Sequence, residues 1–208
     1  MSGRRGFFIT LEGPEGSGKS TQARWLLQGL RRRGRRVVFV RDPGSTALGR
    51  ALRRVLVGSD EPLSPMTEAA LFIGGRVALV EEKIAPALRQ GRVVVCDRFH
   101  DATVVYQGYA GGIDVSWLDR WGRQAISGVM PDLTLLLDVP VGVGFGRLRR
   151  SRDRMERKAR QFHQRVRRGY LAWACRHPRR LVVIDAARRM SAVQNDIQRT
   201  ISSRLKLD

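Results

Sequence analysis

Gly13-Pro14-Glu15-Gly16-Ser17-Gly18-Lys19-Ser20, with Thr21 after it, fills every fixed position of the pattern G-x-x-x-x-G-K-[ST]. The chemistry such a stretch supports is the holding of phosphates. Its glycines permit the tight turns that bring successive backbone N–H groups, and the N-terminus of a following helix, onto phosphate oxygens, where donors and dipole both favour negative charge. Lys19 would reach the β- and γ-phosphates, and the Ser20 hydroxyl would ligate a magnesium ion. An apolar run, Phe7 to Leu11, ends just before the loop and a helix-like stretch, Thr21 to Arg33, follows it. That strand, loop, helix order is the context the motif needs, and the loop reads as a nucleoside triphosphate site.

Other residues could complete a phosphoryl-transfer centre. Asp97 and Asp138 each end an apolar strand, where an acid commonly holds the magnesium ion or its water shell. Asp97 is the stronger candidate, because Arg98 follows it and sets a cation where a transferred phosphoryl group develops charge. Phe72 and Arg76 are four apart on one helix face, so ring and guanidinium could address a base together; the same spacing also suits a core residue beside a surface charge. Tyr106-Gln107 offers an aromatic and an amide with the same two readings. Between residues 147 and 160 basic side chains crowd together, among them Arg149, Arg150, Arg152 and Arg154, broken by Asp153 and Glu156. A closing lid could deliver an arginine from such a segment to the transferring phosphate, and a solvated face or nucleic-acid patch would look alike.

Positioning these groups falls to five short apolar runs: Phe7 to Leu11, Arg36 to Arg41, Arg92 to Asp97, Leu133 to Asp138 and Arg180 to Asp185. Their β-branched, non-alternating character suits strands covered on both faces. Helical stretches lie between them: Thr21 to Arg33, Ala47 to Val57, Pro65 to about Arg89, Ala102 to Gln107, Val115 to Ser127, Val141 to Arg149, about Arg154 to Arg176, and Ser191 to Arg204. The alternation predicts an α/β fold, a doubly wound, five-stranded, mainly parallel sheet flanked by helices, with ligands at the C-terminal strand ends. Ser45 or Thr46 is expected to cap the second helix and Ser64 the third. No linker or repeat divides the 208 residues, so one domain over 1–208 is expected.

An apolar fraction of 42% excludes wholesale disorder, and no apolar run approaches the roughly 18 residues of a membrane span. Strand and loop follow the basic N-terminus directly, without a signal-peptide core, so a cytoplasmic protein is expected. Cys96 and Cys175 have neither metal-ligand spacing nor a disulfide framework. The formal charge of +20 attracts any polyanion, whether nucleotide, nucleic acid or anionic membrane, and chooses none of them.

With these residues in view, the chain resembles the thymidylate kinases, nucleoside monophosphate kinases with a P-loop. The resemblance runs through Leu11-Glu12-Gly13 to Gln22, Arg41-Asp42-Pro43-Gly44-Ser45-Thr46, Leu71-Phe72 with Arg76, Asp97-Arg98-Phe99, Tyr106-Gln107-Gly108, Pro131-Asp132 to Asp138, and Asp153-Arg154-Met155-Glu156. It implies phosphoryl transfer from Mg-ATP to dTMP in a cytoplasmic homodimer, with no requirement for nucleic acid. Arg98 would hold the dTMP phosphate, Phe72 stack on thymine, Arg76 meet a thymine carbonyl, and Tyr106 pack under the sugar. Asp42 and Gln107 would join the acceptor site. Glu15 would contact the sugar or the acceptor phosphate's surroundings, and lid arginines, among Arg149, Arg150, Arg152 and Arg154, would assist catalysis from a lid at about 147–160. The chain departs from the family pattern at Asp42 and Ser45, at Ala102 where a serine is usual, and at Gly111 where an arginine is usual. A different pyrimidine monophosphate such as dUMP, or a decayed homologue that binds nucleotide and nucleic acid, are the competing expectations.

Overall fold

A computed structural model describes residues 5–58, 61–148 and 153–205. Its centre is a five-stranded, all-parallel sheet in the order β2-β3-β1-β4-β5, formed by β1 (Phe7–Glu12), β2 (Val37–Arg41), β3 (Val93–Asp97), β4 (Leu133–Asp138) and β5 (Leu181–Asp185). β1 lies in the middle, and the chain winds first toward β2 and β3 and then back toward β4 and β5. The reversal opens a crevice over the C-terminal ends of β1 and β3, where open α/β sheets bind ligands.

The helices are α1 (Lys19–Arg32), α2 (Ala47–Arg53), α3 (Pro65–Leu79), α4 (Ala85–Arg89), α5 (His100–Thr103), α6 (Val115–Ala125), α7 (Val141–Gly146), α8 (Arg160–Arg176) and α9 (Met190–Leu205). Strand alternation divides the core between the two faces of the sheet. Ile9, Leu11, Val93, Val95, Leu133 and Leu135 pack against Leu26, Leu30, Ile197 and Ile201 of α1 and α9. Phe8, Val94 and Cys96 point the other way, onto Leu79, Ile84 and Leu88 of the α3–α4 stretch. Among the described residues no helix is long and apolar enough to cross a membrane.

Three predicted helices differ in instructive ways. Ser64 caps α3 through Thr67 N–H and Thr46 caps α2 through Gly49 N–H, as expected, but the long stretch to Arg89 widens over Val80–Ile84, where Ala85 N–H bonds to Val80 O. Pro86 accounts for this: it lacks an N–H, and its ring crowds the carbonyl four residues back. Ala102 to Gln107 divides between α5 and a wide-turn segment, Val104–Tyr109, which buries Tyr106 and Gln107. The helix expected from Arg154 begins only at Arg160, because Asp153 and Glu156 close a turn on each other, Asp153 N–H to Glu156 Oε2 and Glu156 N–H to Asp153 Oδ1, both at 3.0 Å.

Candidate active site

Gly13, Gly16 and Gly18 all adopt positive φ (142°, 69° and 87°), which wraps the loop and delivers Gly18 as the N-terminal boundary of α1. At Gly16 there is no alternative to glycine, since a Cβ would stand 1.9 Å from the carbonyl oxygen of Gly144 in α7. Lys19 is buried inside the loop, its ammonium donating to Gly13 O (2.9 Å), Pro14 O (2.8 Å) and Ser17 Oγ (3.2 Å). Burial first, and then the charge of Arg98, lowers its pKa to about 8 against the pull of Glu15, Asp97 and Glu12. The ammonium is thus held on weak acceptors in a site that disfavours its charge. An anion placed there would meet a cation with much to gain.

Arg98 takes the left-handed conformation (φ 66°) directly after β3, which turns its side chain back over the loop. Its guanidinium donates to Glu15 Oε1 (2.7 Å), Gly13 O (3.2 Å) and the Tyr170 hydroxyl (3.2 Å), and lies 5.0 Å from the centre of the Tyr106 ring. The Tyr106 hydroxyl donates to the same Glu15 oxygen at 2.6 Å. Burial alone would raise the Glu15 pKa, yet Arg98, Lys19 and Tyr106 outweigh it and bring the group down to about 2. Behind this pair Tyr170 donates to Glu12 Oε2 (2.8 Å), while Glu12 Oε1 accepts Phe99 N–H (2.7 Å). Glu12 therefore grips both the backbone turn at 98–99 and, through Tyr170, the guanidinium. Burial and the neighbouring charge of Asp101 push its pKa up to about 7.

Beside Arg98 opens a cleft lined by Phe72, Arg76, Asp42, Tyr106, Gln107 and Met155, with Glu15 and Arg98 at one end. Arg76 is 1% exposed; its Nε donates to Asp42 Oδ2 (2.5 Å) and its Nη2 to Thr103 Oγ1 (2.7 Å). Phe72, one turn earlier on α3, is half-buried and lines the same cleft. Gln107 Nε2 donates to Glu68 Oε2 at 2.9 Å. Three polar atoms of these lining residues are buried without a partner: Arg76 Nη1, Gln107 Oε1 and Asp42 Oδ1. Each such atom costs about 1–3 kcal/mol unless a ligand completes it. Arg76 brings a donor among them, and Gln107 and Asp42 an acceptor each.

The remaining predicted residues divide. Asp97 sits beneath the loop, its Oδ2 3.3 Å from Arg41 Nη2, and Ser20 is exposed at the start of α1. Asp138 forms a two-bond pair with Arg167, both at 2.8 Å, and so fastens β4 to α8. Arg154 is turned away from the phosphate loop: it donates to Glu68 Oε1 (2.8 Å) and twice to Leu56 O (3.0 and 2.8 Å). Arg149, Arg150 and Arg152 lie outside the described residues.

A family profile described as thymidylate kinase matches residues 11–197. The chain belongs to the thymidylate kinase family. It is 44% identical over 196 residues to a thymidylate kinase of Symbiobacterium thermophilum, covering 93% of this chain and 92% of that one. It is 46% identical over 202 residues to one of Methylococcus capsulatus, covering 96% and 97%. The crystal structure of thymidylate kinase from Ehrlichia chaffeensis superposes with a TM-score of 0.78 at 32% identity, over 95% of this chain and 99% of that one.

In this thymidylate kinase family member the sequence motifs converge, but three supporting residues carried no motif. Tyr170 and Glu12 are 158 positions apart and meet only through the packing of α8 on the sheet. Tyr170 left one trace, a phenol on the apolar face of a helix, whose buried hydroxyl must find a partner. Thr103 stood out only as the neighbour of Ala102. Glu68 had a readable signal, since it precedes Phe72 and Arg76 by four and eight positions and so shares their helix face.

Proposed function

We propose that this protein, a nucleoside monophosphate kinase, transfers the γ-phosphoryl group of ATP to dTMP, giving ADP and dTDP. The observation that carries the reading is the unpartnered pair in the cleft. Arg76 Nη1, a donor, and Gln107 Oε1, an acceptor, belong to two residues lining the cleft that ends on Arg98, and together they would complement a thymine O4 and N3–H edge. Phe72 would cover the base face and Tyr106 the sugar. The loop Gly13–Thr21 would hold the triphosphate of ATP.

The residues suit a magnesium ion: the Ser20 hydroxyl and the Asp97 carboxylate are hard oxygen donors, and magnesium in such sites takes its other ligands from phosphates and water. When bound, the ion would neutralise charge between the β- and γ-phosphates. The chain's own residues do the rest. An oxygen of the dTMP phosphate attacks the γ-phosphorus in line, a bond to that phosphorus forms, and the bond to the β-phosphate bridge oxygen breaks. Because that nucleophile already carries charge, no general base is required, and positioning with electrostatics carries the step. Lys19 exchanges its loop carbonyls for phosphate oxygens. Arg98, oriented by Glu15 and Tyr170, holds the acceptor phosphate. Segment 147–160 would act as the lid, with Arg149, Arg150 and Arg152 as candidates to meet the transferring group and Arg154 as its fastening. A homodimer is the assembly we favour, since Trp117 on α6 and Met66 on α3 leave large apolar side chains exposed on neighbouring helices, and the cytoplasm is the compartment that supplies both nucleotides.

ADP release is expected with dTMP well above dUMP, dCMP, dGMP or AMP when each is offered with Mg-ATP. Equal rates with dCMP, or none with any acceptor from folded protein, would refute the assignment. The pH dependence follows from Lys19. Its charged form is present below about 8 in the free enzyme and is lost above it. kcat/KM for ATP should therefore fall as pH rises through about 8, approaching tenfold per unit, whereas kcat holds further, because bound phosphate keeps the ammonium charged. A profile flat from pH 7 to 9.5 would remove Lys19 from that role.

A further inference from the structure

Glu68 is fully buried on α3 and gathers donors from three directions. Gln107 Nε2 reaches Oε2 at 2.9 Å, Arg154 Nη1 reaches Oε1 at 2.8 Å, and Lys158 Nζ reaches Oε1 and Oε2 at 3.0 and 3.2 Å. The first donor belongs to the cleft. The other two belong to the 153–158 turn, whose Asp153, Met155 and Glu156 also line that cleft. Arg154 carries the attachment further, onto Leu56 O and, through its backbone N–H, onto Val57 O at 3.3 Å.

We propose that Glu68 sets the base selectivity of the acceptor site by fixing the orientation of the Gln107 amide, and that through Arg154 and Lys158 it also fastens the cleft wall over the bound nucleotide. The inference rests on the dTMP reading above and names a residue that determines it. An amide can turn over at no cost to its shape, exchanging donor for acceptor. A carboxylate already facing two cations offers the amide only acceptor capacity, so Gln107 must turn its NH2 to Glu68 and its Oε1 to the cleft. That leaves an acceptor where a thymine or uracil ring presents N3–H and where cytosine presents a lone pair. Glu68, Phe72 and Arg76 share one face of α3, so a single rigid element sets the orienting carboxylate, the stacking ring and the carbonyl donor in fixed register.

Glu68→Gln keeps the shape and removes this constraint. Its carbonyl can still accept from Arg154, but its NH2 then faces the NH2 of Gln107, and the relief is for Gln107 to turn a donor into the cleft. kcat/KM should be measured for dTMP and dCMP with the wild-type enzyme, Glu68→Gln, Gln107→Ala and the double variant. Glu68→Gln is expected to lower the dTMP to dCMP ratio about tenfold, the loss of roughly one hydrogen bond, with KM for ATP unchanged. In the Gln107→Ala background the same substitution should leave the ratio where it is. An unchanged ratio in folded Glu68→Gln, or an equal drop in both backgrounds, would overturn the proposal. Lys158→Met supplies a test that does not depend on a neutral residue at 68. It should raise KM for dTMP by about threefold or more with the ratio preserved, as loss of one fastening contact would do. An unchanged KM, or a fallen ratio, counts against the coupling. A wild-type enzyme without preference for dTMP would instead sink the parent reading before any variant is compared.

Discussion

Lys19→Met is expected to cut kcat by about 10²–10³-fold, while leaving the fold intact and no less stable. The first half follows from the charge being asked to move. In the transition state negative charge spreads over the γ-phosphoryl oxygens, and a buried cation aimed at them is worth about 3–4 kcal/mol, or two to three powers of ten. Lys19 also meets the ground-state triphosphate, so KM for ATP should rise as well. The second half follows from its lowered pKa. Relative to an unfolded value near 10.5, a folded value of about 8 means that folding disfavours the ammonium, so this group adds to stability only as pH rises from about 8 toward 10.5. Met fills the space without that burden, although Glu15 then loses one of the two cations that hold it ionised. ADP release and thermal unfolding at pH 7 together check the claim. A variant that turns over within tenfold of the parent enzyme removes Lys19 from the chemistry, and one that fails to fold shows the ammonium bonds to Gly13 and Pro14 to be structural.

How much of this was legible beforehand depends on how far apart the cooperating residues lie. The loop and its strand-loop-helix setting could be read because all their determinants are contiguous. Five apolar runs foretold the parallel sheet, since a strand buried on both faces needs no partner to reveal its character. Arg98 could be placed at a strand end, but not its left-handed backbone, which depends on Glu12 accepting Phe99 N–H. Arg76 and Phe72 were paired by helical spacing, whereas the burial of Arg76 depends on Asp42 and Thr103, which arrive from other segments. Arg154 shows the converse. Charge density around it suggested a helix and a catalytic role, while the structure spends its guanidinium on Glu68 and Leu56, because an acid and a carbonyl 86 and 98 positions away are buried beside it.

Arg98→Met carries the other large expected effect, and it falls on the acceptor. The guanidinium touches Glu15, the phosphate loop at Gly13, Tyr170 and the ring of Tyr106 together, so its loss would empty the proposed junction between the two substrates. kcat/KM for dTMP should fall about 10³-fold, with KM for ATP changed little, because positioning of the attacking oxygen and neutralisation of its phosphate disappear together. The variant should also carry a signature in stability. With Arg98 in place the Glu15 pKa is about 2, below its unfolded 4.5, so the carboxylate supports the fold above about pH 4.5 and that support is lost as pH falls through about 2. Without Arg98 the largest remaining influence on Glu15 is burial, which raises its pKa. Glu12, already at about 7, loses its main counter-charge as well. Both carboxylates are then drawn toward the protonated form in the folded state, and one whose folded pKa lies above its unfolded 4.5 loses its contribution to stability as pH rises through the folded value. Melting temperatures compared at pH 5 and pH 7.5 should consequently show the penalty of Arg98→Met growing with pH. A penalty independent of pH would mean that Arg98 supports the fold by packing on Tyr106 rather than by holding Glu15 and Glu12 charged.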